Sequence, residues 1–201
     1  MNIAVLCSGS GTNLQAIIDN VGSGYINAKI ALVLSDKKDA FALERAKKAG
    51  IETVVLNSKD YKGREEFDKE VIRNLKKRDV GLVVLAGFMR LLGKAFLDEF
   101  PEKVVNIHPS LLPAFRGLDA QKQALEYGAR YTGCTVHFVD EGADTGPIIG
   151  QRVVPVMPDD TEDTLAARIL VEEHSLMVEC INAVLASRVR RNGRKVIICG
   201  G

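Results

Sequence analysis

The sequence carries almost no surplus of charge: 27 Lys and Arg stand against 26 Asp and Glu, for a formal net charge of +1. Without a global field, nothing draws the chain to nucleic acid or to an anionic membrane, so any anion has to be held by a local site. No apolar run approaches the roughly 18 residues that span a bilayer. The N-terminal stretch Met1-Asn2-Ile3-Ala4-Val5-Leu6-Cys7 has no basic n-region and no small-residue cleavage pattern, so it reads as a first strand and not as a signal peptide. The four cysteines, Cys7, Cys134, Cys180 and Cys199, are scattered without a C-x-x-C pair. Disulfides and zinc are therefore not expected, and the cytoplasm is the expected compartment. Histidine is scarce as well. His108, His137 and His174 fall on separate elements with no H-x-x-x-H pair, and no metal site is expected. A G-x-S-x-G elbow is absent, which leaves nucleophilic catalysis through Ser110 or a cysteine without support. Repeats, linkers and low-complexity stretches are missing too. At 201 residues with 46% hydrophobic content, one domain spanning 1–201 is expected.

What the chain does have is a regular alternation of apolar runs and amphipathic stretches. Residues 3–7 are a continuous apolar run of strand length, as in a strand buried on both faces. Ser8-Gly9-Ser10-Gly11-Thr12-Asn13 follows, and Leu14, Ile17, Ile18 and Val21 at helical spacing predict a helix that Gly22 and Gly24 end. Further strands are predicted at 29–35, 51–56, 81–85 and 104–108. Helices are predicted at 40–48, 61–78 and 93–100, the last broken by Pro101. Such alternation defines an α/β fold: an open, mostly parallel twisted sheet with flanking helices and right-handed crossovers. The last third changes style. A helix over 119–127 is followed by β-rich runs at 132–139 and 147–156 with only a loop between them, which predicts antiparallel strands added at one side. Thr161 is expected to cap a long helix carrying Leu165, Ile169, Glu173, Leu176 and Ile181. The tail Val189-Arg190-Arg191-Asn192-Gly193-Arg194-Lys195-Val196 carries an Asn-Gly signal for a small hairpin.

Three groups of residues are candidates for chemistry. Gly9-Ser10-Gly11-Thr12-Asn13 lies between the first strand and the first helix, where backbone N–H groups and the helix dipole attract a phosphate. It is neither G-x-G-x-x-G nor a Walker motif, and a plain tight turn with a Ser/Thr cap is the alternative. The second group is Asn106 and His108, two apart in a predicted strand and therefore on one face of it. An amide N–H and a protonated imidazole aimed at one point make an oxyanion site for a tetrahedral intermediate. The third is Asp140-Glu141-Gly142-Ala143-Asp144-Thr145-Gly146-Pro147. A carboxylate from this loop beside His108 would fix its orientation and favour its charged form. A solvated loop whose acids cap turns is the alternative. Phe88-Met89-Arg90-Leu91-Leu92, after the fourth strand, is an apolar rim with one cation, either core or the lining of a slot for a flat ligand. These residues by themselves describe an α/β enzyme with a phosphate loop and an Asn/His oxyanion site, suited to acyl transfer.

With those residues assembled, the chain resembles the phosphoribosylglycinamide formyltransferases, folate-dependent enzymes of purine synthesis, over nearly its whole length up to about Ala186. The resemblance rests on Ser8-Gly9-Ser10-Gly11-Thr12-Asn13-Leu14, Val84-Leu85-Ala86-Gly87-Phe88-Met89-Arg90, Asn106-Ile107-His108-Pro109-Ser110-Leu111-Leu112-Pro113 and Asp144-Thr145-Gly146-Pro147. It implies that the formyl group of 10-formyltetrahydrofolate, a co-substrate, moves to the amino group of glycinamide ribonucleotide with no metal. It further implies that Asn106, His108 and Asp144 are the catalytic three. Gly11, Thr12 and Asn13 match positions that hold the phosphoribose, and Glu173 matches an acid near the glycinamide end, with an ordinary helix charge as its alternative. Arg64, Met89, Arg90, Leu91 and Leu92 match folate-side positions, an apolar slot for the pterin with cations for the glutamate tail. Asn106 also falls on the folate side, as do Asp140 and Glu141, in the loop Asp140 to Asp144 that would close over the pterin. Residues 1–100 then form a phosphoribose-binding half, 101–186 a catalytic and folate half, and 187–201 a basic tail that matches nothing.

Three rival functions remain at the level of sequence. A formyltetrahydrofolate hydrolase uses a similar triad with water as acceptor, but those enzymes resemble this domain preceded by a regulatory one, and here the catalytic fold starts at Met1. A methionyl-tRNA formyltransferase carries a separate basic C-terminal domain for which the chain has no room. A folate- or nucleotide-binding protein with a dead site is disfavoured by intact Asn106, His108 and Asp144. Small-molecule substrates are the expected partners, with neither nucleic acid nor membrane, in a monomer or homodimer.

Overall fold

The computed structural model describes residues 1–199, which fall into two compact units divided after Asn106. The first unit is a parallel sheet: β1 (Asn2–Cys7), β2 (Lys29–Ser35), β3 (Thr53–Val55), β4 (Val80–Leu85) and the first three residues of β5 (Val104–His108). Their order is β3-β2-β1-β4-β5. The continuous apolar runs have the cause expected of them. Ile3, Ala4, Val5, Leu6 and Cys7 of β1 are fully buried, as are Val83 and Val84 of β4, because helices cover both faces of a parallel sheet. The helices are α1 (Thr12–Gly22), α2 (Phe41–Lys48), α3 (Arg64–Lys76) and α4 (Lys94–Glu99). The chain builds outward from β1 to β2 and β3, then returns to place β4 on the other side of β1. A crevice outside the carboxyl ends of β1 and β4 is where such a sheet accepts ligands.

Two elements are shorter than the periodicity predicts, for local reasons. Only Thr53–Val55 pair with β2, because the Ile51 N–H is committed to the Ala46 carbonyl at the end of α2. Helix α3 begins at Arg64 and not at 61, since the Glu66 carboxylate accepts the Lys62 N–H at 2.8 Å and holds the preceding residues outside the helix.

The second unit holds α5 (Ala120–Tyr127), the antiparallel pair β6 (Tyr131–Phe138) and β7 (Ile148–Pro155), α6 (Glu162–Leu185), and a hairpin of β8 (Val189–Asn192) and β9 (Lys195–Ile198). The mostly parallel α/β fold with antiparallel strands late in the chain is thus as expected. Thr161 caps α6 in a reciprocal box with Thr164, each accepting the other's backbone N–H. Leu165, Ile169, Leu176 and Ile181 form the buried stripe of α6, which packs on β6 and β7. Gly150 of β7 makes the approach close: a Cβ there would lie 2.9 Å from Leu176 and 3.0 Å from Cys180. In the hairpin, Asn192 pairs with Lys195, so the central turn residues are Gly193 and Arg194, one residue later than the Asn-Gly signal suggests. Gly193 takes φ 60, the conformation a II′-type turn requires at its first central position. Among the described residues no helix is long and apolar enough to cross a membrane.

Candidate active site

Strand β5 ends in His108, which is 5% exposed, at the point where the chain turns into a proline-bounded loop. That loop is tied to both β6 and β7. The Thr135 hydroxyl donates to the Ser110 carbonyl at 2.7 Å and accepts the Leu112 N–H at 3.1 Å, while Gln151 donates to the Leu112 carbonyl. The Leu112-Pro113 bond is cis. Ser110 spends its hydroxyl on the Ala114 carbonyl at 2.6 Å, a structural use and not that of a nucleophile. Burial pushes the thiols of Cys7, Cys134 and Cys180 up to about 12, which keeps them protonated and unreactive as well.

The tied loop holds the His108 ring between two oxygens. Nδ1 lies 3.3 Å from Asp144 Oδ2, and Nε2 lies 2.8 Å from the Phe115 carbonyl. Both partners are acceptors, so only the doubly protonated ring donates to both. Phe115 adopts φ 51, and its carbonyl is aimed at the imidazole from that left-handed turn. The carboxylate of Asp144 also accepts the Gly117 N–H at 3.0 Å.

A third histidine-loop contact was not anticipated from the sequence. His137 of β6, 2% exposed, brings Nε2 to 3.6 Å from Asp144 Oδ1, too long for a hydrogen bond but close for electrostatics, while its Nδ1 faces the Phe138 carbonyl at 2.8 Å. The β6–β7 register slips between Val136 and His137, which pair with Gly150 and Ile148. Irregularities of this kind re-aim side chains near active sites. Burial pushes the Asp144 carboxyl up, but His137, the Gly117 N–H and the charge of His108 together outweigh it and hold the group below the ordinary carboxylate range.

Asp144 itself sits at φ 52, a left-handed conformation in which aspartate is one of the few tolerated side chains. Gly146 follows, where a Cβ would lie 1.7 Å from the Phe138 carbonyl oxygen. Asp140 turns its carboxylate inward, accepting from the Thr145 hydroxyl and the Gly142 N–H, which is the turn-capping use that the sequence leaves open for these acids. Glu141 is exposed. Glu173 is 7% exposed on α6.

The first unit contains the glycine loop and the 88–92 rim. Gly11 is the N-cap of α1 at φ 70 with no side-chain cap, so the Ser/Thr-capped turn does not form. Thr12 begins the helix and Asn13 is buried in its first turn. A Cβ on Gly11 would lie 2.6 Å from that of Ala42 in α2. Arg45 braces the same loop, donating from Nε to the Ser10 carbonyl at 2.9 Å and from Nη1 to Gln15, with its guanidinium over the Phe41 ring. The loop after β4 is joined to it, since the Ser8 hydroxyl accepts the Met89 N–H at 3.1 Å. In the rim, Met89 and Leu91 are 62% and 55% exposed whereas Leu92 is buried. Arg90 stacks over Phe67 of α3, and Arg64 donates to the Leu92 carbonyl beside Asp68. Exposed apolar side chains next to two guanidinium groups suit a ligand with a flat apolar body and an acidic tail. Among the described residues, no cluster of His, Cys, Asp and Glu is arranged to hold a metal ion.

The tightness at Gly11 predicts an effect on stability. Gly11→Ala combines a left-handed backbone with a clash against Ala42 and is expected to cost roughly 2–4 kcal/mol, read as a lower urea midpoint. Gly9→Ala, with open space around its Cβ, should leave the midpoint in place.

The fold and the paired histidine and carboxylate define an α/β protein with a candidate acid–base site. The chain belongs to the formyl transferase family, whose model matches residues 1–181. It is 47% identical to phosphoribosylglycinamide formyltransferase of Escherichia coli (strain K12), over 88% of this chain and 83% of that protein. It is also 53% identical to the trifunctional purine biosynthetic protein adenosine-3 of Drosophila melanogaster over 86% of this chain, yet the matched segment spans only 13% of that longer protein. Among solved structures, glycinamide ribonucleotide transformylase 1 from Symbiobacterium toebii superposes with a TM-score of 0.98 at 48% identity, covering 100% of this chain and 94% of that one.

Proposed function

We propose that this chain transfers the formyl group of 10-formyltetrahydrofolate to the amino group of N1-(5-phospho-D-ribosyl)glycinamide, giving the formylglycinamide ribonucleotide and tetrahydrofolate in purine synthesis. The observation that carries the reading is the His108 ring, held between the Asp144 carboxylate and a carbonyl oxygen. A carbonyl already sits within hydrogen-bonding distance of Nε2, which makes the Phe115 oxygen a stand-in for the formyl oxygen of the donor. Asn106 shares a face of β5 with His108 by strand alternation and supplies the second donor.

In this mechanism the substrate amine attacks the formyl carbon, and the new C–N bond converts the carbonyl to a tetrahedral oxyanion. Asn106 N–H and His108 Nε2–H stabilise that charge where it develops. Asp144 keeps the imidazolium oriented and helps carry the proton from the amine to the departing folate nitrogen as its C–N bond breaks. No covalent enzyme intermediate is needed; positioning two substrates supplies the rest. Residues 1–100 are assigned to the phosphoribose, with Gly11, Thr12 and Asn13 at the phosphate end; Glu173, on α6, is assigned to the glycinamide amine. Arg64, Met89, Arg90, Leu91 and Leu92 are assigned to the folate, with Asp140 and Glu141 in the loop that covers it. The scattered free thiols fit a cytoplasmic setting.

The hydrolase reading is not favoured, since the relatives are named for transfer to phosphoribosylglycinamide or for purine biosynthesis. One assay separates the cases: 10-formyltetrahydrofolate with and without glycinamide ribonucleotide. Tetrahydrofolate is expected only when the acceptor is present. Formate released without acceptor would indicate a hydrolase, and no turnover in either case a binding protein.

A further inference from the structure

The C-terminal hairpin lies beyond the residues matched by the family, which end at 181, and the proposed reaction makes no use of it. It is nevertheless built onto the loop that carries Asp144. The Arg188 N–H donates to the Ala183 carbonyl at the end of α6, and the Cys199 N–H closes back on the Arg188 carbonyl. This fixes the base of the hairpin, and Gly193 and Arg194 form its tip. From the tip, Arg194 Nη2 donates to the backbone carbonyl of Thr145 at 2.7 Å, across 49 residues of sequence.

The geometry points to Arg194 as a positioning residue for Asp144: the hairpin tip clamps the Thr145–Gly146 peptide group, one residue beyond the carboxylate. This rests on the reading of Asp144 given above. The direction of the Thr145 carbonyl sets the plane of the peptide linking Thr145 to Gly146. That peptide is already confined, because the Thr145 hydroxyl is bonded to Asp140 and Gly146 lies against the Phe138 carbonyl with no room for a Cβ. Arg194 secures the remaining freedom from another element, through a charge-assisted bond. If the clamp is lost, the 145–146 peptide can rotate and carry the Asp144 carboxylate away from His108 Nδ1. Arginine suits the task because its stem is long, its fork is planar and its charge persists at every working pH. The bland alternative is a surface arginine that happens to satisfy a carbonyl. An exposed contact of that kind contributes little to stability, so kinetics and not melting distinguish the two.

The test compares the full-length protein with Arg194→Gln, Arg194→Lys, Arg190→Gln and Asp144→Asn. It measures kcat, the KM of each substrate, Tm and the pH profile of kcat. Arg194→Gln is expected to lower kcat about tenfold, with both KM values held within about twofold, because misplacement of a catalytic group acts on turnover. Its acid limb should move to higher pH, since a loosened loop weakens the contacts that keep Asp144 ionised. Arg194→Lys should recover part of the loss, and Arg190→Gln, on the same hairpin, none should be lost. Wild-type kcat and pH profile in Arg194→Gln would overturn the clamp, as would an equal loss in Arg190→Gln. A fall in Tm of several degrees with an unmoved pH profile would show a merely structural contact and overturn it too. Asp144→Asn separates failure of the clamp from failure of the Asp144 assignment. If that variant turns over normally, the reading of Asp144 has failed; if it is inactive while Arg194→Gln is normal, only the clamp has failed.

Discussion

Replacing His108 with alanine is expected to lower kcat by about a thousandfold or more, because in the proposed mechanism it removes an oxyanion donor and a proton-transfer group together, each worth about a hundredfold or more. The KM values should change much less, since the interaction develops in the transition state and not in the bound ground state. The fold should survive. The ring is buried and bridges the Asp144 carboxylate and the Phe115 carbonyl, so its loss also releases two acceptors and costs about 1–3 kcal/mol of stability. Single-turnover kinetics, with circular dichroism as the check on folding, measures both parts. Near-wild-type turnover would remove His108 from the mechanism.

Asp144→Asn is the cleaner second substitution, because asparagine accepts the left-handed backbone that Asp144 occupies at φ 52. Under the proposed mechanism the expected loss in kcat is again several hundredfold or more, about the scale of losing a group that orients and charges a catalytic histidine. Its pH behaviour has a definite sign. Burial works to raise the Asp144 carboxyl, but His137, the Gly117 N–H and His108 hold it below its ordinary range in the folded protein. A depressed carboxyl contributes stability above the unfolded pKa, and that contribution is lost as the pH falls through the folded value. Wild type should therefore lose stability across that acidic window relative to neutral pH, and Asp144→Asn should show a flatter profile there. Urea midpoints measured between neutral and acidic pH test this. Parallel profiles for the two proteins would mean that Asp144 is not held ionised by its surroundings.

The same residues show what was legible in advance. Continuous apolar runs marked the strands of the first unit because a strand buried on both faces cannot alternate, and β1 is buried throughout. Thr161 marked the start of α6 because a hydroxyl there satisfies a helix N–H, which is a local matter. His108 stood out because a polar pair at the end of an apolar strand is costly unless it is used. The 140–147 loop showed its acids but not their division of labour, since Asp140 caps its own turn whereas Asp144 reaches another element. His137 gave no signal at all. In sequence it is one polar residue inside a β-rich run, and its proximity to Asp144 depends on a register slip that no local pattern encodes. Arg194 was hidden for a similar reason, as one cation in a basic tail whose turn lies a residue later than the Asn-Gly pair indicates.

By itself, then, the sequence determined the order of strands and helices, the cap of α6 and the hairpin, the polar pair Asn106 and His108 at a strand's end, and an acidic loop at 140–147. All of these rest on short-range physics: periodicity of burial, hydrogen bonds within one turn, and the chemistry of individual side chains. Only the tertiary structure decided that His108 is gripped on both ring nitrogens, that His137 stands behind Asp144, and that Arg45 and Arg194 brace the glycine loop and the acidic loop. Those are contacts between residues far apart in the chain. They are decided by how strands register and loops pack in three dimensions, and one residue of slip in register would abolish them.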